Sequence, residues 1–219
     1  MLSDEFPSWS DPTDEAITWA ADTILSCDGE LSGTDFSTIY PGHGRIVWVG
    51  DDGLTEEPLL DLLLDYWRGL AREAGGPPRR DAVDPLDLKP VLGYLMMLEV
   101  ERDGYDARYR LYGSNLAEQG AGRDWTGFRV SEMNRLVQAP AALLFRSCYL
   151  AVLRRPAPLY TEHVPPRYQG VGAWRRLILP LADATGACTR LVVGNLPVGH
   201  RFLSDAELSA YQAWVRRKP

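Results

Sequence analysis

Residues 59–114 read LLDLLLDYWRGLAREAGGPPRRDAVDPLDLKPVLGYLMMLEVERDGYDARYRLYGS, and the order of elements inside them decides the fold class. Leu59, Leu60, Leu63, Leu64, Trp67, Leu70 and Ala71 recur at three- and four-residue spacing, which predicts a helix with a broad apolar stripe. Asp61, Asp65, Arg68 and Arg72 share the other face, acids first and arginines last, as side-chain pairing and the helix dipole favour. Pro58 opens this helix and Gly75-Gly76 closes it. A Pro-Arg-Arg elbow follows, and then Asp84-Pro85 starts a short helix expected to reach about Val91. Two strands come next, Tyr94–Glu101 and Ala107–Gly113, joined at Asp103-Gly104, a tight-turn signal. Strand alternation sends Arg108 and Arg110 one way, toward Glu99 and Glu101, and Tyr109 and Leu111 the other.

Downstream, Ser114–Gln119 and Ser131–Leu136 read as short helical turns, and Pro140–Arg154 as an apolar helix. Leu159–Val164, Trp174–Ala182 and Arg190–Leu196 read as strands. Ser204-Asp205-Ala206-Glu207 fits a capping box for a final helix. Upstream, Asp11-Pro12 opens a helix to about Ser26, and Arg45–Gly50 is a β-branched and aromatic run that suits a strand. The organisation expected is an acidic N-terminal extension over 1–57, a main domain over 58–198 and a C-terminal helix over 199–219.

Charge divides the chain unevenly. Residues 1–66 hold 15 Asp and Glu against the single Arg45, a net −14; residues 67–219 hold 15 acids against 22 basic residues, a net +7. Such a split suits an acidic segment lying on a basic body, or a body that binds anions. No apolar run reaches the roughly 18 residues of a membrane span, and the N-terminus has no secretion signal. Cys27, Cys148 and Cys188 are odd in number and far apart, which suits a reducing compartment, so a cytoplasmic location is expected. The arginine doublets are scattered and the whole-chain pI is near 5.0, which argues against nucleic-acid binding.

From Tyr94 onward the order is strand, strand, short helices, longer helix and three strands: an α+β arrangement of a five-stranded antiparallel sheet with helices on one face. Here the chain resembles a PAS domain. More narrowly, it is similar to the bacterial PAS-like family that begins with a Tyr-Trp helix, a Pro-Arg motif and an Asp-Pro helix. The residues are Tyr66-Trp67-Arg68, Pro78-Arg79-Arg80 and Asp84-Pro85, continuing through Arg108-Tyr109-Arg110-Leu111, Gly113, Gly120, Thr126-Gly127 and the strand Leu177–Leu181. The resemblance covers about residues 59–196. It implies a cytoplasmic sensor fold that serves as a signalling input, with no catalytic residues to carry over. No kinase, cyclase or DNA-binding module is legible in residues 1–58 or 197–219, so the output expected is a partner protein or self-association.

A pocket of this fold would lie between the sheet and the helices after the second strand. Its expected lining is Met97, Tyr109, Leu111, Leu177, Leu179 and Val192 from the sheet, with Leu116, Leu144, Phe145 and Cys148 from the helices. A filled core is the competing reading of the same residues. The stripe Leu60, Leu63, Leu64 and Trp67 is the candidate homodimer or partner interface, with core packing of equal weight. No histidine sits on a pocket-facing helix as a haem would need; His163 reads as a surface or edge residue of its strand. Cys148 in Phe145-Arg146-Ser147-Cys148-Tyr149 does not match the flavin-bonding motif of light-sensing relatives. No serine elbow, HExxH or metal spacing is present, so neither enzyme activity nor a metal is expected and no cofactor is named. Two functions stay open: a sensor that binds a small apolar or amphipathic ligand, or a ligand-free interaction scaffold.

Overall fold

The structure is a computed structural model that describes residues 10–119, 123–166 and 169–200. The helix expected from Ser204, and Gly120 of the loop motif, lie outside the described residues. Thirteen elements carry the fold. The helices are α1 (Asp14–Leu25), α2 (Gly33–Ile39), α3 (Pro58–Ala74), α4 (Ser114–Gln119), α5 (Val130–Val137) and α6 (Ala142–Arg154). The strands are β1 (Glu30–Ser32), β2 (Gly44–Trp48), β3 (Leu95–Glu101), β4 (Asp106–Tyr112), β5 (Leu159–His163), β6 (Val171–Ala182) and β7 (Cys188–His200).

All described strands join one antiparallel sheet in the order β1-β2-β5-β6-β7-β3-β4. The α+β class stands as expected, but the sheet has seven strands rather than five. The two extra strands come from the N-terminal segment: β2 pairs with β5 from Gly44↔His163 to Trp48↔Leu159, and β1 pairs with β2. A long-range pairing of this kind leaves no local signal in either strand.

Helices cover both faces of the sheet rather than one. On the first face α1, α2, α5 and α6 pack over Met96, Leu98, Tyr109, Leu159, Ile178, Leu191 and Val193. On the second face α3 and the segment after it pack over Leu95, Met97, Tyr160, Leu177, Leu179, Leu181 and Val192. With both faces buried, β6 and β7 read as nearly continuous apolar runs.

The local rules explain the ends of the helices. Thr13 caps α1 by accepting from the Ala16 amide at 3.2 Å, and Asp14 and Glu15 complement the dipole in its first turn. The helix thus begins after Pro12 rather than at it, because a threonine hydroxyl is available one residue later. Pro58 starts α3, and Gly75 ends it in the left-handed conformation, φ 69°. The α3 stripe lands directly on β7: a Cβ at Gly194 would lie 2.6 Å from Leu60 Cδ2 and 2.9 Å from Leu63 Cδ2, so only glycine lets the helix approach this closely. Trp67 Nε1 donates to the Pro180 carbonyl at 2.8 Å and fixes the helix along β6. Leu60, Leu63 and Leu64 are fully buried and Trp67 nearly so. The stripe expected as an interface is therefore an interior contact with the sheet.

The segment after Asp84-Pro85 is a run of turns rather than a helix. Its bonds are of the i→i+3 kind, Asp87 to Asp84, Leu88 to Pro85 and Val91 to Leu88, and Pro90 lacks the N–H a helix needs. Leu88 and Val91 are buried all the same. The elbow before it is held by the Arg79 guanidinium on Asp81, at 3.0 and 2.7 Å, and by a backbone bond from Ala182 to Pro78.

Candidate functional site

The β3–β4 hairpin decides which side chains meet. Met97 faces Leu111 while Leu98 faces Tyr109, so Arg110 is an extra residue, a β-bulge. Simple alternation would keep Tyr109 and Leu111 together; the bulge sends them to opposite faces. Tyr109 instead joins Tyr112, ring centroids 5.3 Å apart and perpendicular.

The expected pocket residues divide accordingly. Tyr109, Leu116, Leu144 and Cys148 lie in the first-face core with Phe145 packed against it. Met97, Leu177, Leu179 and Val192 lie in the second-face core with Leu111 packed against it. The sheet stands between the two sets, so they do not line a single pocket. A groove of about 280 Å³ does reach Met97 and Leu111 on the second face, bordered by Arg80, Glu99, Arg110 and Arg190. Two of its arginines, Arg110 and Arg190, share the single Glu99 carboxylate and hold it below the usual range.

The first face holds a different feature. Adjacent strands β5, β6 and β7 place Thr161, Arg176 and Asn195 side by side by register. Two residues along β5 from Thr161, on the same face, is His163. From α6, the Phe145 ring stacks on the Arg176 guanidinium, 3.8 Å from carbon to centroid, and its centroid is 5.6 Å from the His163 ring. Tyr40, at the end of α2, meets His163 from the other side at 5.2 Å and donates to the Val164 carbonyl at 2.8 Å. His163, expected at a surface or edge, is 3 % exposed because β2 covers that edge of β5.

These polar groups are short of partners. Arg176 Nε, His163 Nδ1, Tyr149 Oη and Asn195 Oδ1 are all buried without a hydrogen-bond partner among the described residues. Asn134 on α5 is in the same condition at both amide atoms. Buried polar atoms in folded proteins are almost always bonded, and each left unbonded costs roughly 1–3 kcal/mol. Arg176 is the extreme case, 5 % exposed with no carboxylate within salt-bridge distance among the described residues. The Phe145 ring returns about 2 kcal/mol or somewhat more, against several for burying a charge. Asp106, a buried acid of the same core, is occupied by the Ser131 hydroxyl at 2.6 Å and the backbone of Ala107 and Ser131.

Burial pushes the Cys148 thiol and the Tyr112 hydroxyl up to about 12. It drives Tyr109 well above its ordinary value and raises Tyr149, each partly offset by Arg176. Burial, with Arg176 beside it, lowers His163 to about 3, so its imidazole is neutral at physiological pH. The result is one buried cation in a shell of neutral hydroxyl, thiol, amide and imidazole groups.

With this geometry in view, comparison with known proteins is informative. The family model described as "PAS domain" matches residues 55–196. The chain belongs to the PAS-domain family. PAS domains are in general sensor and signalling modules, and that is the class in which this chain stands. The PAS match begins just before α3 and ends within β7, so α1, β1, α2 and β2 lie outside it. A solved structure titled "Structure of an RNA-binding Light-Oxygen-Voltage Receptor" is 13 % identical over 92 % of this chain, with a TM-score of 0.40. The chain spans 57 % of that receptor chain's length. No curated protein matches the chain.

Sequence reasoning missed Arg176, Tyr149, Asn195 and Thr161 and misplaced His163. One signal was available. Arg175-Arg176 sits in a strand whose neighbours Trp174, Leu177, Ile178 and Leu179 are all apolar, so with both faces covered one of the two arginines must be buried. Arg175 faces α3 and is paired with Glu57 and Glu162; Arg176 faces α6 and has no acid partner among the described residues. Among the described residues no group of His, Cys, Asp and Glu could hold a metal ion, and no helix is long and apolar enough to cross a membrane.

Proposed function

We propose that this chain is a PAS sensor that takes up a small molecule between α6 and the sheet, beside Arg176, and passes the change to a partner protein or a second copy. The observation that supports it is the set of buried polar atoms without partners, Arg176 Nε, His163 Nδ1, Tyr149 Oη and Asn195 Oδ1, drawn from four elements onto one side of the sheet. A bound molecule supplies the missing bonds. The route outward runs through α6: it packs on α1, and its Arg146 binds the Tyr105 carbonyl of the β3–β4 turn at 2.8 Å. Displacing Phe145 or Tyr149 at the ligand therefore moves a helix that touches the N-terminal segment.

Native mass spectrometry of freshly purified protein, compared with the same sample denatured, tests this reading. Extra mass lost on denaturation supports it. A bare chain whose melting temperature no small-molecule collection raises overturns it.

The scaffold reading keeps one observation of its own. Trp19 on α1 is 51 % exposed, unusual for a side chain of this size. If α1 docks a second copy through it, Trp19→Glu lowers the solution mass measured by sedimentation. An unchanged mass removes that role.

A further inference from the structure

Arg176 also says what kind of molecule is held. We propose that Arg176 anchors a carboxylate, so that the ligand of this chain is a small carboxylic acid with an apolar or aromatic body. The inference rests on the sensor reading above and adds the chemical class to it.

Charge and geometry both point to a carboxylate. Two arginines lie deep in the first-face core, and Arg146 is already bound to Asp11. Arg176 is the one whose guanidinium meets a ring and no acid among the described residues. A single guanidinium offers a planar, two-pronged donor that matches one carboxylate. A phosphate dianion would need a second cation, and Arg146 is not free to supply it. Around Arg176 the Tyr149 hydroxyl can donate, and the neutral His163 imidazole and the Asn195 amide each carry a donor and an acceptor. None of them competes with an incoming anion for the charge. Phe145 lies on Arg176, Tyr109 and Tyr112 are near enough to feel its charge, and Leu116 and Leu144 belong to the same core, an aromatic and aliphatic environment that fits an apolar body rather than a sugar or a polyol.

The test pairs acids with neutral molecules of the same shape: phenylacetate with phenylacetamide, indole-3-acetate with indole-3-acetamide, and octanoate with octanol. Each is added at millimolar concentration to the full chain, and the melting temperature is followed. The result expected is a rise of several degrees for at least one acid, little or none for its neutral counterpart, and loss of the rise in Arg176→Met. Arg110→Gln, which alters an exposed arginine of the other face, retains it. Should Arg176→Met fail to fold, Arg176→Lys serves instead: it keeps the charge, loses the planar fork, and is expected to weaken the acid's effect at least tenfold.

Other outcomes separate the two proposals. Equal rises with acid and neutral counterpart, both surviving in Arg176→Met, leave the sensor reading standing and overturn the carboxylate. A neutral molecule recovered by native mass spectrometry does the same. No rise with any acid and no extra mass overturns both. So does loss of stability in Arg176→Met when the wild-type chain carries no extra mass, because Arg176 would then have an acid partner within the chain itself.

Discussion

Two arginines are buried on the same face of the same sheet, and the fold treats them in opposite ways. Arg146 on α6 is 2 % exposed and fully engaged: Nε donates to the Tyr105 carbonyl at 2.8 Å, and Nη1 donates to Asp11 at 2.9 Å. Arg176 on β6 is 5 % exposed, with the Phe145 ring at 3.8 Å and no acid among the described residues. The first ties the segment before α1 and the β3–β4 turn to α6, and Arg102 on Asp14 at 2.7 Å joins that turn to α1. The second ties nothing together. A buried charge that holds the fold together must have its partner inside the fold. One without such a partner among the described residues is what the proposed ligand would satisfy.

Truncating each arginine breaks this comparison most directly. Arg146→Met is expected to cost about 1–3 kcal/mol in urea unfolding, because it leaves the Tyr105 carbonyl unbonded and removes the donor to the half-exposed Asp11. A loss under about 1 kcal/mol would mean that Arg146 is no clamp.

Protonation gives the next largest effect. His163 has a folded-state value of about 3 and an ordinary value of 6.5. Above pH 6.5 it is neutral in both states and its full stabilising contribution is present. Below that, the unfolded chain takes up a proton that the folded chain refuses. Stability therefore falls as pH falls, by up to about 1.4 kcal/mol per pH unit. Glu99 and Glu101, lowered chiefly by hydrogen bonds from Arg110 and Arg129 respectively, are ionised in both states above about pH 5. Unfolding measured between pH 6.5 and 5 thus isolates the histidine. His163→Leu should flatten the profile there, and an unchanged slope would show that His163 is not buried neutral.

Arg176→Met in ligand-free protein should have the opposite sign to Arg146→Met, with stability unchanged or raised by about 1 kcal/mol, since an apolar side chain replaces an unpartnered charge. Marked destabilisation would erase the contrast. Smallest of all is Asp11→Asn. Asp11 is half exposed, so losing its charge should cost about 1 kcal/mol or less and fade as salt is added.

The N-terminal segment shows how far sequence reading reaches. Its acids and the basic excess of the remaining chain predicted an acidic segment on a basic body, and Asp11, Asp14 and Asp22 do pair with Arg146, Arg102 and Arg154. Nothing in Arg45–Gly50 announced that this strand would pair with β5. The same limit misplaced His163: a strand looks like an edge until its neighbour is known. In the hairpin, Arg108 with Glu101 and Arg110 with Glu99 were legible from alternation. The bulge that drives Tyr109 and Leu111 apart was not, because an extra residue in one strand is defined only against the other.

By itself the sequence determined what depends on neighbours a few residues away: the stripe and ends of α3, the β3–β4 hairpin and the α+β class. Those features follow from backbone preference and side-chain periodicity, which act over three or four residues. The tertiary structure alone decided that the sheet has seven strands, that α3 covers one face while α1 and α6 cover the other, and that Arg175 has acid partners while Arg176 has none among the described residues. Partners are set by which distant strands lie side by side, and the free energy of a buried charge depends on everything within a few ångströms of it, wherever in the chain it comes from.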